Sequence, residues 1–288
     1  MKSAAVLSLL LVAFAGGCAT VPYRRGHNIE SKNILELRPD EPQFERGRPN
    51  ALIDGIGWVF GLPSKIILLD SRMDNHVISP EVEQAVAEYL VTNGLRNVKV
   101  RVNEYAPGGE WSRLFRNKSV GWGWRYTIGV IANLFYTILP GRIFGGDNYN
   151  PYTNTINLYS NHRAVAIHEG GHAKDFAPRN WKGTYAFLYI LPFVALYPEA
   201  KATGDAIGYM RVDRTAEEEK QAYRVLYPAY CTYVGGGIGQ FTPVPYVVYF
   251  AAVIPGHIAG RVKASHVDER RKMEESILPP GPENKPAS

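Results

Sequence analysis

From Lys65 to Asp70 the chain reads Lys-Ile-Ile-Leu-Leu-Asp, a short apolar block that predicts a buried strand. Ser79-Pro80-Glu81 then offers an N-cap residue, a proline at the first helical position and an acid in the first turn. That combination predicts a helix ending near Asn93. Val98, Val100 and Val102 alternate with Lys99, Arg101 and Asn103, the period-two pattern of a half-buried strand, so a β-α-β opening is expected. Residues 122–139 are largely apolar despite Arg125 and Asn133 and stop at Pro140-Gly141, which predicts a helix packed inside the fold or against a membrane interface. A polar turn over 149–154 leads into Thr155-Ile156-Asn157-Leu158-Tyr159, whose alternation reads as an edge strand. Two later apolar runs, 185–197 and 244–258, are each broken by proline and fall short of the roughly 20 residues of a spanning helix. Buried or interfacial helices are expected there. No internal repeat is visible.

These elements describe an α+β fold, mainly helical, with a small sheet whose edge strand precedes the next helix. A length of 288 residues suits one domain with insertions, placed at 51–275. The remaining 276–288, rich in proline, reads as a disordered tail. With 45% apolar and 20% charged residues the chain is not disordered at large scale. Its net charge of +5 forms no basic stripe, which argues against nucleic acid and for mild attraction to anionic lipid.

Residues 1–17 combine Lys2, an apolar run from Ala4 to Phe14, and the small residues Ala15-Gly16-Gly17 before Cys18. This is the layout of a secretory signal, and it resembles a bacterial lipoprotein signal in which Cys18 becomes the lipid-carrying N-terminus. Residues 18–50, polar and proline-rich, read as the tether between lipid and domain. An envelope location follows, with the membrane as a partner through the lipid, on the periplasmic face of the outer membrane. Only Cys231 then remains, which leaves no intramolecular disulfide.

The candidate chemistry lies in His168-Glu169-Gly170-Gly171-His172, on a helix expected from about His162 to Phe176. Residues four apart on a helix share a face, so both imidazoles can grip one tetrahedral metal. Glu169, rotated by about 100° from His168, can reach water on that metal without ligating, as a general base must. Gly170 and Gly171 each cost about 1 kcal/mol in a helix, which predicts a close approach of something to the backbone. His162 faces elsewhere. The metzincin position for a third ligand holds Pro178 and excludes that subclass. On a later helix, Thr215 and Glu218 form a capping box that leaves Glu219 one turn inside, sharing a face with Ala222 and Tyr223. Glu199, Asp205, Asp213 and His257 are rival third ligands, and His76 and Arg72 are candidate substrate contacts.

His168-Glu169-x-x-His172 followed by Glu219-x-x-Ala222 resembles the gluzincin arrangement, nearest to HtpX-like, CAAX-processing membrane peptidases, over about residues 150–225. The resemblance implies a zincin-like metallopeptidase domain with Zn2+ held by His168, His172 and Glu219, and Glu169 as catalytic acid/base. Tyr223 stands where the family has an aspartate that orients a ligand. Asp175 or Asp205 can take over that task, or Tyr223 can donate to the oxyanion. A zinc endopeptidase acting on a peptide or protein substrate is thus expected. The competing reading is a non-enzymatic envelope lipoprotein whose metal site is structural and which binds a protein or the cell wall.

Overall fold

Four short strands form one sheet among the described residues: β1 (Phe44–Arg46), β2 (Lys99–Val102), β3 (Asn148–Asn150) and β4 (Thr155–Leu158), in the order β1-β2-β4-β3. β1, β2 and β4 run parallel, whereas β3 is antiparallel to β4, pairing Tyr149 with Ile156. The computed structural model describes residues 23–24, 35–191 and 193–277. The expectations for the signal segment, for Cys18 and for the chain beyond Ile277 lie outside them.

Helices make up most of the rest. Before β2 come α1 (Ala51–Phe60), α2 (Leu62–Leu68) and α3 (Pro80–Thr92). Between β2 and β3 come α4 (Pro107–Arg116), α5 (Trp122–Trp124), a π turn (Arg125–Gly129), α6 (Val130–Ile138) and α7 (Gly141–Phe144). After β4 follow α8 (Arg163–Phe176), α9 (Lys182–Leu188), α10 (Leu196–Asp213), α11 (Ala216–Gly239), α12 (Pro245–Ser265) and α13 (Val267–Ile277). The mainly helical α+β character read from the sequence is what the chain adopts.

The core explains the placement. Val82, Val86, Tyr89 and Leu90 of α3 pack with Val100 and Val102, Ile156 and Leu158, Ala164 and Ile167, and Ala206 and Met210. Each buried aliphatic side chain of this kind contributes roughly 1.5–3 kcal/mol. Helix α8 thereby lies between α3 and α10. Both of its glycines sit at these contacts. A Cβ on Gly170 would meet the Tyr89 ring at 2.6 Å, and one on Gly171 would meet Ala202 of α10 at 3.0 Å. The close approach expected from the glycine pair is found on both sides.

Four expectations about the strands need correction. Residues 65–70 are not a strand, since Leu62–Leu68 is helical with Pro63 in its first turn. Lys65 is buried there, donating to the carbonyls of Trp58 (3.2 Å) and Asp74 (2.9 Å). Four apolar residues are too few for periodicity to separate strand from helix. The first strand is instead β1, inside the stretch read as tether. Its register is set by Gln43, whose side-chain amide donates to Leu95 and Val98 carbonyls at 3.1 Å. Third, β4 is interior, because the polar Asn148-Tyr149-Asn150 folds back on it and becomes the edge.

β2 is buried on both faces, although its alternation suggested one wet side. Arg101 meets Glu110 of α4 at 2.9 Å and also Glu45, while Lys99 donates to the Pro42 carbonyl at 2.6 Å. Charges on this face are paired instead of solvated, as buried charges must be.

Candidate metal centre and active site

Helix α8 begins where His162 caps it, the imidazole Nδ1 accepting from the Ala164 amide at 3.2 Å. One and a half turns on, His168 and His172 project from one face with ring planes at 87°. Their Nε2 atoms are 3.1 Å apart. The third corner is Glu199, in the first turn of α10, with Oε2 3.2 Å from His168 Nε2 and Oε1 3.3 Å from His172 Nε2. Two donors bound at 2.0–2.1 Å to one tetrahedral ion lie about 3.3 Å apart, so the imidazole pair and the carboxylate, one oxygen towards each ring, are spaced to share a single ion. The donor set of two imidazoles and a carboxylate suits a divalent metal, and these three buried residues can hold one.

Electrostatics points the same way. Burial opposes ionisation of Glu199, yet His172 and His168 outweigh it and hold the carboxyl well below its usual range. Burial likewise opposes charge on His172, yet Glu199 lifts that imidazole to about 9. Glu199 is thereby held as a carboxylate facing both imidazoles. Thr203, one turn after Glu199, places its hydroxyl 3.4 Å from His168 Nδ1 and so orients that ring.

Glu169 is buried beside the triangle, and loss of hydration pushes its carboxyl up to about 6. It lines two cavities of about 480 Å³ each, together with Glu199, Tyr233, Asp147, Phe144 and Gly145. One cavity continues past His172 along the edge strand residues Asn148, Tyr149 and Asn150. The other passes His168 and Thr203 towards α2 and α12. Tyr233 of α11 lines both cavities, and its phenol hydrogen-bonds Glu199, whose charge is the main cause holding its pKa well above normal.

Glu219 is not with the histidines. It is 0% exposed, and its two oxygens are taken by Arg270 and by Arg271 Nε, the latter at 2.8 Å. The third corner expected there is supplied by Glu199, one of its rivals. Tyr223 is also elsewhere, packed on Tyr227 at 5.5 Å between ring centroids, with Gly260 against its carbonyl, and it lines neither cavity. Its helix partner is α12, which leaves it far from any oxyanion role at the histidines.

Among the other rivals, Asp205 holds Lys174 and Tyr89, and Asp175 holds Arg179, Lys201 and Tyr185. Asp213 ends α10 while Glu199 begins it, about 21 Å along the helix. His257 meets the Ile67 carbonyl at 2.8 Å, His76 is buried on Asn103 at 3.0 Å, and Arg72 is engaged by Asp70 and Gln221.

What the sequence reading passed over is a second copy of its own pattern. Glu199-Ala200-Lys201-Ala202 repeats the Glu-x-x-Ala spacing of Glu219 and Ala222. Here the small residue serves the purpose expected of it, since Ala202 is what Gly171 packs against. Compared with known proteins, the chain matches no family model, no curated protein and no solved structure.

Proposed function

We propose that this chain is a zinc-dependent endopeptidase of the bacterial cell envelope, held at the periplasmic face of the outer membrane by lipid on Cys18. The observation that carries the reading is the triangle of His168, His172 and Glu199 with Glu169 beside it in an open cleft. Zinc bound there would polarise a carbonyl and bring the pKa of water towards 7.

The chain's own residues would do the remaining work. Glu169, raised to about 6, is placed to take a proton from the attacking water near neutral pH and pass it to the departing amine. Tyr233 is placed to donate to the substrate oxygen as negative charge grows on it. The outer edge of β3 lines the cleft and offers backbone groups to an extended peptide. Because the cleft continues on both sides of Glu169, an internal bond of the substrate is the one presented. A purely structural metal site would be closed by four protein ligands, whereas three described residues converge here and the cleft adjoins them.

The test is metal content beside hydrolysis of casein for the native chain and Glu169→Gln. Zinc retained by both and hydrolysis reduced by about a thousandfold or more in the variant is expected. Hydrolysis unchanged in the variant would overturn the reading.

A further inference from the structure

The outer side of α12 is apolar where a surface helix is normally polar. Tyr246, Val247, Phe250, Ile254, Ile258 and Val262 are exposed, and they fall on the side opposite Ala252, Val253, Gly256 and Gly260, which pack against α11. The stripe does not end at α12. His257 Nε2 meets the Ile67 carbonyl at 2.8 Å, which joins α2 to α12 at that point, and Ile66 of α2 and Leu69 just after it are exposed by 68% and 63%. Helix α1, which leads into α2 through Gly61, likewise exposes Leu52, Ile56 and Val59. No single helix among the described residues is long and apolar enough to cross a membrane, but α1 and α2 together have that apolar length, bent by 47°. A bent pair of short apolar helices suits the interface better than a straight crossing.

Charge identifies what covers this face. At the α12 end of the stripe, Arg72, Arg224, Arg261 and His257 line a pocket of about 310 Å³ together with Leu68 and Leu69. Asp70 engages Arg72 and Glu217 lies 3.8 Å from Arg224, so of the three arginines against two carboxylates it is Arg261 that leaves the pocket net basic. A basic pocket at the rim of an apolar stripe, with Trp58 and Tyr246 exposed along it, is the layout of a surface that meets acyl chains and anionic headgroups together.

We infer that the face formed by α1, α2 and the outer side of α12 docks on an anionic lipid bilayer, acyl chains against Ile66, Leu69, Ile254 and Ile258 and headgroup phosphates at Arg72, Arg224 and Arg261. The second cavity is lined by Phe60, Ile67, Leu68 and Tyr249 from these same helices and runs on to His168 and Glu169. The cleft would then open at the lipid surface, a consequence that rests on the peptidase reading, whereas the docking itself does not.

The test reads position on the membrane, not activity. In the full chain carrying Cys18→Ser, a polarity-sensitive dye is placed on Ile258→Cys, on Ile66→Cys, or on Val91→Cys of α3 as control. Vesicles of phosphatidylcholine with added phosphatidylglycerol should shift emission to the blue at 258 and 66 and not at 91. Arg224→Glu with Arg261→Glu should weaken the vesicle titration by about tenfold or more. No shift at 258 and 66, an equal shift at 91, or phosphatidylcholine alone serving as well would overturn the inference. So would the same shift produced without vesicles by raising protein concentration, because a second copy would then be the occupant.

Discussion

A Cβ on Gly171 would stand 3.0 Å from the Cα of Ala202. Gly171 immediately precedes His172, and Ala202 follows Glu199 by three residues, so this one contact sets how far apart the two halves of the centre are held. Gly171→Val should force α8 and α10 apart at a cost of roughly 1–3 kcal/mol and weaken metal binding by about tenfold or more. A thermal melt and a chelator competition on the same samples would check both effects.

The two Glu-x-x-Ala segments should separate cleanly by mutation. Glu199→Ala should lose the bound metal, by a hundredfold or so in affinity, while keeping its fold. Glu219→Gln should keep the metal and lose stability, because two arginines would remain half-buried without their carboxylate, a defect of about 3–5 kcal/mol for a fully buried pair and less here. Metal content and denaturant midpoints for both variants decide the matter.

These contrasts mark what was legible in the chain. The His168–His172 helix, the Ser79-Pro80 helix start and the Thr215–Glu218 capping box depend on neighbours within one turn, and each is where the sequence places it. The third corner depends on Arg270 and Arg271, about 50 residues from the acid they occupy, and no local pattern distinguishes Glu219 from Glu199. The edge of the sheet was misplaced for a similar reason. Asn148 and Asn150 have little strand propensity, and β3 is held by the Asn148–Asn157 side-chain bond at 2.8 Å and by the turn through Asn154 at φ 52°.

Tyr233→Phe should lower kcat for peptide hydrolysis by about a hundredfold with little change in KM, since the phenol acts on charge that develops only in the transition state. Tyr223→Phe should leave both nearly unchanged. Steady-state kinetics of the two variants would check the exchange of roles.

His162 gives a pH dependence of stability with a definite sign. Burial, and then Arg72, lower its pKa from 6.5 to about 4, and its Nδ1 must be unprotonated to accept from the Ala164 amide. Between those values the unfolded chain binds a proton that the folded chain refuses, so its contribution is present above pH 6.5 and is lost progressively as pH falls to about 4, on the order of 3 kcal/mol. His162→Asn keeps a capping oxygen without the titration. Its melting temperature should therefore fall by several degrees less than that of the native chain over this range, and parallel curves would remove His162 from the account.

The most direct test of the metal centre is X-ray absorption at the zinc edge on the purified native chain. Two imidazoles and oxygen donors at about 2.0–2.2 Å, one ion per chain, are expected from His168, His172 and Glu199. A sulfur ligand, a count of imidazoles other than two, or an identical spectrum from Glu199→Ala would contradict the assignment.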